Sequence, residues 1–158
     1  MSSKTITMAW LVAKKACEGA RKQFQQYFPD GGEITDVLIM ITQTDDAEPD
    51  WVSWLMQKHG YCDMAWLSGL EISGSLYLRG TSITALPDGL SVGGSLDLRG
   101  TSITALPDGL SVGGSLDLRG TSITALPDDL PVGGSLYLRG CKIKKSDIPV
   151  HLIDKAIF

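Results

Sequence analysis

The chain has 158 residues, of which 43% are hydrophobic and 20% are charged, and its formal net charge is −4. This balance is typical of one globular domain or two small ones, and it argues against a disordered, collagen-like or nucleic acid-binding chain. We expect no membrane contact, because no uncharged apolar run approaches the roughly 20 residues of a transmembrane helix and the first residues lack a secretory cleavage signal. Three cysteines without a disulfide pattern favour a reducing cytoplasm.

Residues 1–66 are patterned mainly as helices. Between residues 7 and 28, apolar side chains recur at steps of three and four, which predicts one helical face: Trp10, Ala13, Cys17, Ala20, Phe24 and Tyr27. The Pro-Asp-Gly-Gly sequence at 29–32 is expected to end this helix. The stretch that begins near residue 35 suits either a helix or a strand. A further helix is predicted between Pro49 and Gly60, with one side formed by Trp51, Trp54, Leu55 and Lys58.

An exact repeat of 20 residues follows. The sequence TSITALPDGLSVGGSLDLRG occupies both 81–100 and 101–120, a third copy with three substitutions occupies 121–140, and 65–80 matches the second half of the unit. The alternation Leu96-Asp97-Leu98 predicts one short strand per repeat with one buried face. Because a single repeat cannot bury enough apolar surface to fold alone, we expect the repeats to stack. The apolar positions of one unit are Leu86, Leu90, Val92, Leu96, Leu98 and Ile103.

These residues carry a family resemblance. The succession L-P-x-x-L, then L-x-L-x-x-T-x-I-T on a 20-residue period, resembles the short bacterial leucine-rich repeat, the Leu-Pro subtype found in type III secreted effectors. The resemblance covers about residues 65–143. It implies an α+β fold in which a short leucine-rich-repeat solenoid of about four to five coils, with a parallel strand ladder, follows an N-terminal helical cap. We therefore predict a cap at 1–66 and a solenoid at 67–158, with a C-terminal capping segment at 141–158.

Two departures from the family pattern change the expected local structure. The family usually has asparagine where this chain has Thr81, Thr101, Thr121 and Cys141, so a threonine ladder that ends in a thiol is expected. A hydroxyl can still bond a neighbouring backbone group. The family has leucine where Gly93 and Gly113 stand, so we expect an extended segment turned by Gly-Gly.

The front segment has a resemblance of its own. It is similar to N-terminal stretches of small phage and prophage proteins through Trp10-Leu11, Ala16-Cys17, Phe28-Pro29-Asp30-Gly31 and Asp50-Trp51-x-x-Trp54-Leu55. This similarity implies an origin in a mobile element and supplies no reaction.

The residues beside the buried leucines are expected to point outward and to form columns from one repeat to the next. They comprise four serines and eight candidate partner-binding residues, namely Tyr77, Arg79, Asp97, Arg99, Asp117, Arg119, Tyr137 and Arg139. Two interpretations stand side by side. The columns form either a self-compensated surface ladder of little energetic weight, or a recognition surface, since tyrosine and arginine are enriched at binding hot spots.

Other reactive residues give no coherent site. His59, Cys62 and Asp63 are close in sequence, but no second histidine nearby and no oxyanion-forming loop supports them as a nucleophile with its base. The three cysteines, Cys17, Cys62 and Cys141, lack the C-x-x-C spacing of a zinc site. We predict no catalytic, metal-binding or cofactor-binding residues. The cluster Lys142, Lys144 and Lys145 is interpreted as a solvated end of the solenoid.

The predicted function is a non-enzymatic protein-binding module encoded by a phage or prophage, which engages or inhibits a host or defence protein through the solenoid face. The first alternative is a secreted bacterial effector that binds a eukaryotic host protein. A further alternative is an enzyme whose site lies in the helical cap. In the last alternative the repeats arose by recent duplication, and their number varies without functional consequence. We expect a protein partner, no nucleic acid and a monomer, with a homodimer through the last edge strand as the alternative.

Overall fold

The computed structural model describes residues 5–16, 18–34, 36–38, 51–59, 64, 67 and 71–158. Its chain separates into two units, 1–47 and 48–158. The domain boundary predicted at residues 66 and 67 lies in a stretch of which only Met64 and Leu67 are described, both of them buried. That boundary stays a prediction. No helix among the described residues is long and apolar enough to cross a membrane.

The first unit pairs two short strands around two helices. Strand β1 (Thr5–Ile6) and strand β2 (Gly32–Glu33) are antiparallel, and helices α1 (Met8–Ala13) and α2 (Glu18–Tyr27) lie between them in sequence. Its buried apolar side chains are Ile6, Leu11, Ala16, Phe24, Ile34, Val37 and Leu38.

The single helix predicted over residues 7–28 is wrong, because the chain breaks between α1 and α2. Lys15 has a φ of 60°. The Ala16 N–H donates to the Leu11 carbonyl at 2.9 Å and the Lys15 N–H donates to the Val12 carbonyl at 3.0 Å. These two bonds form a Schellman cap, with lysine where glycine is usual. Of the predicted apolar face, Phe24 is buried and Tyr27 is exposed, while Cys17 and the Trp10 side chain lie outside what the structure describes.

The second unit begins with the helix predicted before Gly60, which is confirmed as α3 (Trp51–His59). Its buried side differs from the predicted one. Leu55 is buried as expected, but Trp54 is half-buried and Lys58 is exposed. The buried neighbours of Leu55 are Val52, Ser53 and Met56. The predicted and the observed sets of residues both satisfy helical spacing. Packing against the repeats that follow determines which side of α3 is buried.

Two parallel sheets run through the repeats. The first, of three strands, has the order β3-β5-β7, and the second, of five strands, has the order β4-β6-β8-β9-β10. The bounds are β3 Glu71–Ile72, β4 Leu76–Tyr77, β5 Ser91–Val92, β6 Leu96–Asp97, β7 Ser111–Val112, β8 Leu116–Asp117, β9 Leu136–Tyr137 and β10 Ala156–Ile157.

Strands of successive repeats pair at an offset of 20 residues, so Leu76 lies beside Leu96 and Leu96 lies beside Leu116. All six apolar positions predicted from one repeat are buried, which confirms the expected stacking. The architecture is α+β, with few helices among the described residues, and its register is compatible with a solenoid-like repeat.

Gly-Gly pairs turn the chain from the first sheet into the second, as expected, and there the backbones of neighbouring repeats approach each other closely. The Gly114 N–H donates to the Gly94 carbonyl at 2.8 Å, and the Gly134 N–H donates to the Gly114 carbonyl at the same distance. A Cβ added at Gly114 would lie 2.8 Å from the carbonyl carbon of Gly94. A side chain at these positions would therefore force the repeats apart.

The third copy of the repeat ends the three-stranded sheet. Ser111 donates its N–H to the Leu90 carbonyl at 2.9 Å, and Pro131, which has no N–H, stands at the equivalent position one repeat later. Pairing therefore shrinks to an isolated bridge between Val112 and Val132.

Side chains from two helices terminate the sheets. At the first strand of the five-stranded sheet, Ser53 Oγ donates to the Tyr77 carbonyl at 2.7 Å and Gln57 Nε2 donates to the Arg79 carbonyl at 3.3 Å. At the last repeat, two 3-10 helices (Lys145–Asp147 and Val150–Lys155) lead into β10. The second of these helices presents His151 Nε2, 3.0 Å from the Leu130 carbonyl, and Lys155 Nζ, which donates to the Val132 carbonyl.

The close approach at the Gly-Gly corner predicts a strong position effect on stability. We expect Gly114→Ala to lower the free energy of unfolding by about 1–3 kcal/mol, because its Cβ overlaps the preceding backbone. Gly74→Ala is the matched control at the same position of the first repeat, where nothing lies within 4 Å. It is expected to be neutral or to stabilise by up to about 1 kcal/mol. Urea unfolding checks both, and equal losses would contradict the close approach.

The contact of α3 with the first strand predicts a stability loss on removing its hydroxyl. Ser53→Ala leaves the Tyr77 carbonyl without this donor in a buried place, so we expect unfolding to become easier by about 1–2 kcal/mol. Ser82→Ala, on an exposed serine, is the control and should change stability by less than about 0.5 kcal/mol. A Ser53 variant as stable as the control would show that the helix does not cap the sheet.

Candidate binding face

The eight residues predicted to bind a partner form two adjacent columns on one side of the five-stranded sheet, and we call this surface the outer face. One column contains Tyr77, Asp97, Asp117 and Tyr137, which the strand register places side by side. The other contains Arg79, Arg99, Arg119 and Arg139, each two residues later in its repeat and hence on the same side of the chain.

Each central repeat contains a paired aspartate and arginine. Asp97 Oδ1 accepts hydrogen bonds from the Arg99 backbone N–H at 3.1 Å and from Arg99 Nε at 2.9 Å, while Asp97 Oδ2 accepts one from Nη2. Asp117 and Arg119 repeat this geometry, with Nη2 to Oδ2 at 2.6 Å. Both aspartates are buried, 5% and 9% exposed. The alternation pattern predicted that they point outward, which they do, but the arginines cover them.

A tight turn positions each arginine. The Thr101 N–H and Oγ1 both donate to the Leu98 carbonyl, at 3.2 Å and 2.8 Å, and Gly100 between them has a φ of +63°. Such a φ is easy only for glycine. The arginine before the glycine is thereby held beside the aspartate that precedes it by two residues.

The threonine column bonds to backbone as expected, but each bond is local and closes a four-residue turn. Thr81, Thr101 and Thr121 are buried, and each hydroxyl donates to the carbonyl three residues earlier. Cys141 ends the column differently, because its Sγ donates to the Leu118 carbonyl, 23 residues earlier, at 2.9 Å. The column is therefore structural.

Contacts between repeats join the outer face into one surface. Arg99 Nε lies 3.4 Å from Asp117 Oδ2, so Arg99 contacts carboxylates of two repeats. Arg119 Cζ lies 5.2 Å from the ring centroid of Tyr137, a cation–π contact. The serine column adds backbone bonds, with the Ser95 N–H donating to Ser75 Oγ at 2.9 Å. Sequence reasoning predicted the columns but not this double contact of Arg99.

The outer face is cationic in an acidic chain. Four arginines and two aspartates give it a formal charge of +2, against −4 for the whole chain. The side chains of Arg99 and Arg119 are 38% and 41% exposed. The hydrogen bond that Arg119 donates to Asp117 raises the pKa of the Arg119 guanidinium above its ordinary value. The arrangement therefore presents permanently charged, oriented donors to an anionic group.

The remaining predicted candidates do not form a site among the described residues. Cys62 and Asp63 lie outside them, as does the side chain of His59. No group of three or more metal-ligating side chains occurs in the part of the chain that is described. Lys142, Lys144 and Lys145 are exposed, and Lys145 Nζ lies 5.2 Å from the ring centroid of Phe158.

No family model, curated protein or solved structure matches the chain. The function must therefore be argued from the outer face itself.

The double contact of Arg99 predicts unequal effects from identical substitutions. Arg99→Gln removes the cationic partner of Asp97 among the described residues and one of the two at Asp117, leaving a buried carboxylate undercompensated. We expect a stability loss of about 1–3 kcal/mol. Arg119→Gln is the matched control, because Asp117 then keeps Arg99, and its loss should be smaller. Urea unfolding of both variants measures the difference, and equal losses would refute the bridging role.

Proposed function

We propose that the chain is a leucine-rich-repeat solenoid that acts as a non-enzymatic protein-binding module through its outer face. The 20-residue strand register, the buried leucine positions and the L-P-x-x-L sequence support the solenoid. The outer face supplies the binding surface, because it combines the side chains that dominate binding energy in protein interfaces.

The observation that carries the proposal is the fixed orientation of half-exposed arginines. Bidentate bonds to buried aspartates hold Arg99 and Arg119 in place before any partner arrives. A long side chain normally loses conformational freedom when it binds, and prior ordering lowers that entropic cost.

The setting we propose is a phage or prophage whose protein engages or inhibits a host or defence protein. The resemblance of the front segment to small phage and prophage proteins supports this setting. The Leu-Pro repeat supports an alternative, a secreted effector that uses the same face on a eukaryotic host protein. The two settings share one binding chemistry and differ in the source of the partner.

Affinity capture tests the proposal. The full chain, tagged and immobilised, is incubated with bacterial lysate beside an Arg79→Glu/Arg139→Glu variant. These two arginines are exposed, and their repeats contain tyrosine in place of the buried aspartate, so the central ion pairs stay intact. We expect a stoichiometric protein on the unmodified chain and its loss on the variant.

The control is Lys142→Glu/Lys144→Glu, which makes the same change in charge at exposed residues that are not among the eight of the outer face. Circular dichroism checks that both variants remain folded. Capture that survives in the outer-face variant, or that is lost equally in the control, would overturn the proposal. A partner captured only from eukaryotic lysate would favour the effector setting.

A further inference from the structure

We propose that the ligand of the outer face is an acidic α-helix that lies along the arginine column and places one carboxylate at each repeat. This inference rests on the proposed function and deepens it, because it specifies the charge and the conformation of the partner segment.

Charge complementarity selects an acidic segment. The outer face carries +2, and its two negative charges are buried at 5% and 9% exposure beneath their arginines. An approaching ligand therefore meets guanidinium groups first. Arginine forks onto carboxylates with two parallel hydrogen bonds. Acidic residues elsewhere give the chain its net charge of −4, which disfavours a long polyanion such as nucleic acid.

The bonds to Asp117 leave Arg119 able to accept such a ligand. Asp117 engages the Nε and Nη2 side of the Arg119 guanidinium. A guanidinium has five N–H donors, so the side that carries Nη1 can form a second fork. The Arg119 side chain is 41% exposed, which gives a carboxylate room to approach. Asp117 thus orients the group without saturating it.

The spacing of the column selects a helix. Neighbouring strands lie about 4.8 Å apart, so four arginines that each stand two residues after successive strands span about 14.4 Å. Residues i, i+3, i+7 and i+10 share one face of a helix and span about 15 Å at about 1.5 Å per residue. A helix with carboxylates at those four positions therefore matches the column step by step.

The spacing of side chains in an extended segment does not match the spacing of the arginine column. Alternate residues of a strand lie about 6.6 Å apart on one face, and four of them span about 20 Å. Consecutive residues are closer, but they point to opposite sides. Only one or two carboxylates of an extended chain would reach arginines at once. The half-buried Tyr77 and Tyr137 lie at the two ends of the neighbouring column, where they offer apolar contact to the ends of a helix.

Two synthetic peptides of about 14 residues test the geometry. Both are stapled into helices and have the same composition, with four glutamates in an alanine and glutamine background. In the matched peptide the glutamates stand at i, i+3, i+7 and i+10, and in the control at i, i+2, i+7 and i+9, which divides them between opposite sides. Fluorescence anisotropy at low ionic strength measures binding to the full chain.

We expect the matched peptide to bind about tenfold more tightly than the control, because each exposed ion pair contributes a few-fold in affinity. Its binding should weaken with added salt. Equal affinity for both peptides, or no binding of the matched peptide, would overturn the inference. Tighter binding of a single-stranded oligonucleotide than of the matched peptide would also overturn it.

Variants of the chain test whether the matched peptide binds at the arginine column. Arg99→Gln/Arg119→Gln should weaken the matched peptide about tenfold, and Lys142→Gln/Lys144→Gln should not. Because the first variant leaves buried aspartates, Arg79→Gln/Arg139→Gln is the second, and a loss there supports the inference even if the first does not fold. Affinity unchanged in the second variant contradicts it. A protein captured through the outer face while neither peptide binds would refute the helix and leave the proposed function standing.

Discussion

Backbone hydrogen bonding between successive repeats is the interaction on which the rest of this structure depends. It runs from the strands through the Gly-Gly corners, where the N–H of Gly114 reaches the carbonyl of Gly94. Neighbouring repeats must keep the separation of paired strands at the corners as well as in the sheets. The Gly-Gly corner therefore has no room for a side chain. The same close stacking buries Leu96 between Leu76 and Leu116 and brings the arginines into one column. Core and outer face therefore follow from one constraint.

A stack held in this way leaves unpaired carbonyls at its ends. At each end, two side chains that stand four residues apart on a helix bond to these carbonyls. Ser53 and Gln57 are four residues apart on α3 and reach the carbonyls of residues 77 and 79. His151 and Lys155 are likewise four apart and reach those of residues 130 and 132. Four residues of α-helix rise about 6.0 Å and two strand residues about 6.6 Å, so the spacing fits at α3. Both helices place side chains where a neighbouring strand would otherwise pair, which blunts an edge prone to aggregation.

The sequence predicts best those structural features that recur in every repeat. The period, the six buried positions and the Gly-Gly turn all follow from residues that recur, because each recurrence tests the same environment. Local features that occur only once are harder to predict from the sequence. The Schellman cap at Lys15 interrupts a helical spacing that continues across it, and α3 offers two faces of equal periodicity. The outer-face columns were predicted, but the burial of Asp97 depends on a bond to Arg99 that alternation does not encode.

Identical repeats do not produce an identical surface. Arg99 and Arg119 occupy the same position of two copies without a single difference, yet Arg99 contacts two carboxylates while Arg119 contacts one carboxylate and the ring of Tyr137. Tyr137, which ends the aspartate column on one side as Tyr77 does on the other, causes this asymmetry. A partner that matched the arginine spacing alone would bind in several registers shifted by one repeat. The flanking tyrosines give each register a different environment, and only one of them places both rings at the ends of the ligand.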